Sequence, residues 1–262
     1  MAASTPVIFV HGLWLHSSTW KPWIDLFSAE DIPASAPGWP REHSSVFKCR
    51  QRGEDVVGMG IAEVATHYSR IAAEFDSPPV VVGHSHGGLV AEYLLARGLA
   101  SAAVAIDPAR LSEELPQPIS QLIAEYPAMA NPANRGREVN LNNRQFRSVF
   151  GNAIGEDESD SLYERWTIPA SGALLFETDF AGSEPPAADD PARGPLLLVS
   201  SGRGQDADDA APTSSFESYR HADAVTERRV FADRGHSLVI DNGWSDVAKS
   251  VLEWVTARSD RG

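Results

Sequence analysis

The chain has 262 residues, of which 42% are hydrophobic and 22% charged, and this composition is typical of one globular domain large enough to carry an insertion. Its formal net charge of −14 argues against nucleic acid and anionic membrane surfaces as partners, because both would repel it. The single cysteine excludes an internal disulfide. Since the first residues also lack a basic region and a long apolar run, we expect a cytoplasmic protein without a signal peptide or membrane span.

The first part of the chain alternates between strand and helix patterns. Apolar, β-branched runs predict buried strands, and apolar residues at helical spacing predict amphipathic helices. The predicted strands cover residues 6–12, 34–40, 80–82 and 102–108, and the predicted helices cover residues 18–29, 57–75 and 89–95. The polar stretch 41–55 shows no period and is predicted to be a loop.

The alternation stops near Arg110 and resumes near residue 195. Between these points the sequence predicts helices at 119–129, 143–152 and 156–166, a polar linker at 184–191 and no convincing buried strand. Further strands are predicted at 195–200 and 226–231, with helices at 213–219 and 243–258. We therefore predict an α/β core of residues 1–109 and 195–262, with a mainly parallel central sheet flanked by helices. A helical lid of residues 110–194 would follow the strand that ends at Asp107.

The segment Gly83-His84-Ser85-His86-Gly87 lies between a buried strand and an apolar helix. The two glycines permit a turn so sharp that Ser85 is strained and exposed, with the amide groups of the next helix pointing back at it. A serine in this setting is typical of a nucleophile elbow. Gly-x-Ser-x-Gly alone is a loose pattern, but the flanking strand and helix supply the context that it requires.

Polar residues follow the carboxyl ends of five predicted strands, at the edge where parallel sheets bind ligands. Such a convergence is difficult to explain by packing alone. The positions concerned are His11-Gly12, Ser85, Asp107, residues 202–206 and His236.

These motifs resemble those of the α/β-hydrolase superfamily, and the resemblance covers nearly the whole chain. It rests on Val10-His11-Gly12-Leu13-Trp14, on Gly83 to Gly88, and on Arg234-Gly235-His236-Ser237 before the last helix. The resemblance implies that Ser85 is the nucleophile and His236 the general base. It also implies an oxyanion hole made by the backbone N–H groups of Leu13 and His86. The early His-Gly strand is similar to that of the smaller, lid-bearing members.

The acid of the triad has two candidates. The superfamily pattern places an Asp in the turn after strand 195–200, but Gly204 and Gln205 occupy the expected positions and Asp206 follows slightly late. Asp206 also belongs to an acidic run that is usually solvated. Asp107 lies at the preceding strand, where pancreatic lipases carry their acid, although an acid there could simply cap the entrance to the lid. We favour Asp107 and keep Asp206 as the alternative.

The remaining histidines and aromatic residues receive simpler interpretations. His84 and His86 flank the nucleophile and are expected to point elsewhere. Their His-Ser-His spacing suits a metal, but no further ligands follow, so we expect neither a metal nor a cofactor. Trp14 is predicted to line the substrate pocket because it follows the oxyanion loop, whereas Trp20 has the spacing of a core residue.

The leading hypothesis is a serine hydrolase that cleaves a small-molecule ester, lactone or thioester through an acyl-enzyme on Ser85. One alternative uses the same pocket for non-hydrolytic chemistry, such as cyclisation, a lyase reaction or C–C bond chemistry. A third hypothesis is a ligand-binding protein with a degenerate triad. The expected partner is a small acyl substrate, and the chain would be a monomer or homodimer.

Overall fold

The structure is a computed structural model that describes residues 5–109, 130–177, 193–202 and 224–259. Within these ranges, six strands form one sheet in which every neighbouring pair is parallel. The strands, in chain order, are β1 (Val7–Val10), β2 (Ala34–Ser35), β3 (Val80–His84), β4 (Ala102–Ile106), β5 (Glu138–Val139), β6 (Ala170–Ser171), β7 (Leu196–Ser201) and β8 (Thr226–Phe231). The sheet has the order β2-β1-β3-β4-β7-β8. The prediction of a parallel α/β sheet is therefore confirmed.

Helices cover both faces of this sheet, as the composition of the strands requires. The described helices are α1 (Lys21–Ser28), α2 (Val46–Gln51), α3 (Ile61–Ala72), α4 (His86–Ala96), α5 (Asn143–Val149), α6 (Glu156–Trp166), α7 (Gly172–Leu175) and α8 (Trp244–Ser259). Short 3₁₀ helices span Ser17–Trp20, Gly53–Val56 and Pro132–Gly136. The predicted helices at 119–129 and 213–219 lie outside the described residues.

Side chains along β1 alternate between two apolar layers. Val7 and Phe9 pack with residues of α1 and α8, whereas Ile8 and Val10 pack with residues of α3 and α4. All four are essentially inaccessible to solvent. Because successive strand residues point to opposite faces, an uninterrupted apolar run is the pattern of a strand that is buried on both sides.

The parallel register brings the carboxyl ends of the central strands to one edge. Val10 pairs with Gly83, His84 pairs with Ile106, and Ile106 pairs with Val199. The residues that follow β1, β3 and β4 therefore emerge side by side at this edge. This register is what positions the candidate site.

Residues 130–177 come between β4 and β7 in the chain and are partly helical. Two-residue strands β5 and β6 pair antiparallel in this segment, where the sequence indicated no strand. Strands this short give no recognisable period, so the pattern could not reveal them. The segment is joined to the loop after β1, where the Ile168 amide donates to the Trp14 carbonyl over 2.8 Å. The lid boundaries at 110 and 194 stay a prediction.

The stretch 41–55, predicted to be a loop, contains helix α2 and a 3₁₀ helix. The side chain of Ser45 accepts a hydrogen bond from the Lys48 amide and so caps α2. The guanidinium of Arg50 donates to the carbonyl groups of Tyr163, Glu164 and Thr167. Tertiary contacts thus stabilise a helix too short to show a clear apolar period. In the described part of the chain, no helix has the length and apolar character needed to cross a membrane.

Candidate active site

The turn between β3 and α4 has the geometry of a nucleophile elbow. Ser85 adopts φ 55° and ψ −122°, a conformation that L-residues rarely take. A Cβ on Gly83 would lie 1.9 Å from the Gly87 carbonyl oxygen, and one on Gly87 would lie 2.1 Å from the Val10 carbonyl oxygen. Both positions therefore require glycine, because the backbone segments approach each other too closely for any side chain.

Ser85 is held by the strand beside it and covered by the loop after β1. Its amide donates to the Ile106 carbonyl over 2.9 Å, and its carbonyl accepts from the Ala109 amide over 3.0 Å. The residue is only 3% exposed, so the predicted exposure of the nucleophile is wrong for this structure. The loop explains part of this burial, because a Cβ on Gly12 would lie 2.8 Å from the Ser85 Cβ.

Asp107 and His236 meet beside this turn. The Asp107 Oδ2 lies 3.3 Å from the His236 Nδ1, and both side chains are mostly buried. The other carboxylate oxygen, Oδ1, accepts a 2.7 Å hydrogen bond from the Ser201 amide on β7. Asp107 itself has φ 40°, so its backbone turns sharply out of β4. The competing acid, Asp206, lies outside the described residues.

His84 faces His236 rather than pointing elsewhere, so that expectation is wrong. Its Nε2 lies 2.9 Å from the His236 carbonyl oxygen, and the two ring centroids are 4.6 Å apart. Phe150 contributes a third ring, with its centroid 5.3 Å from that of His236. The side chain of a strand residue points to one face of its sheet. For His84 that face is the one on which the loop bearing His236 packs.

Burial keeps the two histidines on either side of Ser85 neutral. It lowers the pKa of His84 well below its ordinary value, and the nearby charge of His236 lowers it further. Burial likewise lowers the pKa of His86 from 6.5 to about 3, again with a contribution from the charge of His236. Near neutral pH each of these imidazoles is therefore neutral and carries a single N–H. His236, by contrast, contacts the Asp107 carboxylate.

The hydrogen bonds between described residues join His236 to Asp107 but include none from the Ser85 hydroxyl to His236. Catalytic hydrogen bonds are often long or poorly aligned in a free enzyme and shorten only when substrate binds. The Ser85 turn and the Asp107–His236 pair thus lie at the same edge of the sheet, but no hydrogen bond between described residues joins Ser85 to His236.

Two backbone N–H groups suit an oxyanion hole. His86 is the first residue of α4, and the first amides of a helix have no partner within the helix. The Leu13 amide belongs to the loop that packs on Ser85, next to Gly12. This loop is also held from within, because the His11 Nδ1 lies 2.9 Å from the Gly12 carbonyl oxygen. The Leu13 and His86 amides are thus assigned to the oxyanion hole by their positions in the chain.

A buried carboxylate beside the oxyanion loop was not anticipated from the sequence. Glu42 Oε2 lies 2.8 Å from the His11 Nε2, outside hydrogen-bond geometry, so the contact is electrostatic. Glu42 Oε1 accepts from the Ser17 amide and lies 3.5 Å from the His16 Nε2. Burial raises the pKa of Glu42, but the charges of His11 and His16 and the hydrogen bond from Ser17 outweigh it, so the pKa is lowered. Nothing in the aperiodic stretch 41–55 distinguished Glu42 from its neighbours.

Trp14 is buried and has φ 63°, with its indole N–H donating to the Val139 carbonyl over 3.0 Å. It lines a cavity between the oxyanion loop, residues 39–43 and residues 168–171. The described lining residues of this cavity include Gly12 and Leu13 but not Ser85. The cavity therefore adjoins the oxyanion loop rather than the hydroxyl. Trp20, by contrast, packs against Phe9 in the core, as its spacing predicted.

No group of three or more His, Cys, Asp or Glu side chains is arranged to hold a metal ion among the residues that the structure describes.

Several solved structures share this architecture across almost the whole chain. A Paenibacillus extracellular α/β-hydrolase, described as sharing homology with tobacco salicylic acid binding protein 2, is 13% identical with a TM-score of 0.67, over 95% of this chain and 98% of that one. A monoacylglycerol lipase from Paleococcus ferrophilus is 18% identical with a TM-score of 0.66, over 97% and 96%. Polyneuridine aldehyde esterase is 17% identical with a TM-score of 0.67, over 96% and 99%.

Comparison with curated protein sequences gave no significant match. At 13–18% identity, the similar structures establish the fold alone. The sequence profile described as "Alpha/beta hydrolase family" matches residues 7–249, which is most of the chain. The chain therefore belongs to the alpha/beta hydrolase family.

Proposed function

We propose that the protein is a serine hydrolase that cleaves a small-molecule ester, lactone or thioester through an acyl-enzyme on Ser85. The observation that carries this proposal is the contact between the Asp107 carboxylate and the His236 Nδ1 beside the strained Ser85 turn. An acid that contacts the far nitrogen of a histidine leaves the near nitrogen free to accept a proton. This arrangement is the one that activation of a serine hydroxyl requires, and packing of the core does not require it.

In the proposed reaction, the Ser85 oxygen attacks the carbonyl carbon of the substrate while the His236 Nε2 takes the hydroxyl proton. The carbonyl oxygen becomes an oxyanion that the Leu13 and His86 amides stabilise, and each such donor is typically worth about 10²–10³ in rate. Collapse of this intermediate breaks the bond to the leaving group, which receives the proton from His236. Water then attacks the acyl-enzyme by the same steps, which releases the acid and restores Ser85.

Asp107 has the contacts needed to orient the base. With its Oδ1 held by the Ser201 amide at 2.7 Å, its Oδ2 is directed at the His236 Nδ1. The carboxylate then favours the tautomer with a proton on Nδ1 and stabilises the imidazolium that forms during attack. This support makes Asp107 the preferred acid over Asp206.

The named relatives point in the same direction. Two of the similar structures are an esterase and a monoacylglycerol lipase, both of which are named for the cleavage of ester bonds. We also propose that residues 130–177 form part of a lid, because they pack on the loop that carries Trp14. Trp14 would then shape the entrance for the acyl or alcohol group of the substrate.

The test combines turnover of short p-nitrophenyl esters with labelling by a fluorophosphonate probe. The proposal predicts rapid turnover and a covalent adduct on Ser85, both abolished in Ser85→Ala. Labelling of Ser85 without turnover of any ester, lactone or thioester would instead favour the non-hydrolytic enzyme. Absence of both labelling and turnover would favour a binding protein with a degenerate triad.

A further inference from the structure

The proposed mechanism leaves one buried imidazole beside the nucleophile without a role. His84 is completely buried at the carboxyl end of β3, directly before Ser85. Its ring lies between the oxyanion loop and the His236 loop, since a Cβ on Gly12 would be 3.4 Å from the His84 Nδ1. Burying a polar ring costs free energy unless the ring is hydrogen-bonded, so the hydrogen bonds of His84 indicate why it is there.

The contacts of His84 determine which nitrogen carries its proton. The Nε2 lies 2.9 Å from the His236 carbonyl oxygen, and a carbonyl oxygen can only accept. The hydrogen is therefore on Nε2. The Nδ1 is buried without a hydrogen-bond partner among the described residues, as suits an unprotonated nitrogen. His84 is thus a neutral donor directed at the main chain of His236.

We propose that His84 is a positioning residue for the general base: its Nε2–H···O=C hydrogen bond to the His236 carbonyl holds the loop that places the imidazole of His236 against Asp107. This proposal rests on the proposed function, since it assigns His236 the role of base. His84 and Ser85 are consecutive, so one rigid turn carries both the nucleophile and the anchor of the base. The fold thereby connects two segments 152 residues apart in the chain.

His236 needs this anchor because it lies on a loop between β8 and α8. The adjacent Ser237 amide donates to the Phe150 carbonyl over 3.1 Å, and Asp107 contacts the His236 ring. These contacts hold the neighbouring residue and the side chain, whereas, within the described ranges, the His84 hydrogen bond is the one made to the carbonyl of His236 itself. A displacement of about 1 Å in a catalytic group can cost about 10²-fold in rate.

Two amide substitutions separate the hydrogen bond from the shape of the ring. The Nε2 of glutamine can occupy the position of the His84 Nε2, whereas the shorter asparagine reaches only the position of Nδ1. We therefore expect His84→Asn to lower kcat by about 10²-fold, with KM changed less than about threefold. His84→Gln should retain kcat within about tenfold of wild type because it keeps the donor.

The ring protons of His236, followed by NMR in the whole protein, give a readout that is independent of activity. His84→Asn should move the His236 signals and remove the low-field Nδ1–H signal of the Asp107 pair, and His84→Gln should retain both. Equal kcat in wild type and His84→Asn, or an equal fall in both variants with unchanged His236 signals, would overturn the proposal. Thermal unfolding checks that both variants are folded. If His84→Asn does not fold, the test depends on His84→Gln alone. A folded His84→Gln that is inactive and shows altered His236 signals would then overturn the proposal.

The failure of this proposal is distinguishable from failure of the proposed function. A wild-type protein that turns over no ester, lactone or thioester would argue against the hydrolase. The His236 signals of the two variants still test whether the His84 donor holds the base. Dependence of these signals on the donor supports the anchor, and independence contradicts it.

Discussion

Substitution of Asp107 by asparagine tests how His236 is oriented. Asparagine tolerates the φ of 40° at this position and can still accept the Ser201 hydrogen bond through its carbonyl oxygen. The amide NH₂ would then face the His236 Nδ1 where the carboxylate oxygen lies 3.3 Å away in wild type. Because an NH₂ group donates, the His236 Nδ1 would have to accept, and the proton would move to Nε2.

This change produces the wrong tautomer for catalysis without removing the side chain. The nitrogen that should take the Ser85 proton would already hold one, and the imidazolium would lose its counter-charge. In a serine protease the same substitution lowers kcat by about 10⁴. At 1.36 kcal/mol per tenfold, that corresponds to about 5.4 kcal/mol of transition-state stabilisation. We expect a loss of similar size for Asp107→Asn.

The assay is kcat/KM for a p-nitrophenyl ester, measured beside Asp206→Asn as the matched control. Asp206→Asn should stay within about threefold of wild type, and thermal unfolding should show that both variants are folded. A small effect of Asp107→Asn together with a large effect of Asp206→Asn would transfer the role of acid to Asp206. Full activity in both variants would refute the triad as assigned.

Four further substitutions and one matched control test the surroundings of the site. Gly87→Ala should cost about 3 kcal/mol or more in urea unfolding, because its Cβ would lie 2.1 Å from a carbonyl oxygen, whereas Gly136→Ala meets nothing within 4 Å and should be tolerated. Glu42→Gln should lower the free energy of unfolding by about 2 kcal/mol at pH 7. Since the pKa of Glu42 is lowered from 4.5 in the folded protein, the difference in stability between wild type and the variant should disappear as the pH falls below 4.5. Burial lowers the pKa of His86 from 6.5 to about 3, so between these pH values the unfolded state binds a proton that the folded state does not. The free energy of unfolding of wild type should therefore fall by about 1.4 kcal/mol per pH unit below pH 6.5 because of this residue. In His86→Gln, unfolding measured against pH should show a smaller fall. Trp14→Phe removes the indole hydrogen bond to Val139 and should raise KM for esters more than it lowers kcat; an unchanged KM would exclude Trp14 from the pocket.

The sheet and the elbow could be predicted because their signals are local. A run such as Val80 to Val82 is apolar at every position, and a parallel strand buried on both faces requires this pattern. Ser85 was recognisable because the sharp turn requires glycine at positions 83 and 87, where any Cβ would overlap with backbone atoms. Asp107 was a candidate because the residue that follows a central strand emerges at the same edge of the sheet as Ser85.

The contacts that surround the site could not be predicted in the same way. Glu42 meets His11 across 31 positions, and His84 meets His236 across 152, so neither pair lies within one window of the chain. His84 was expected to point elsewhere because the turn is tight. It instead faces the later loop, since the direction of its side chain is set by β3 rather than by the turn. Helix α2 was missed because its stability comes from Arg50 and a serine cap.

The claim on which the account depends is that His236 makes the Ser85 hydroxyl reactive. The most direct measurement is the second-order rate of fluorophosphonate labelling in wild type and in His236→Gln, with the modified residue located by mass spectrometry. The account predicts an adduct on Ser85 and a labelling rate at least about 10³-fold lower in the variant. Equal rates in the two proteins, or an adduct on another residue, would contradict it.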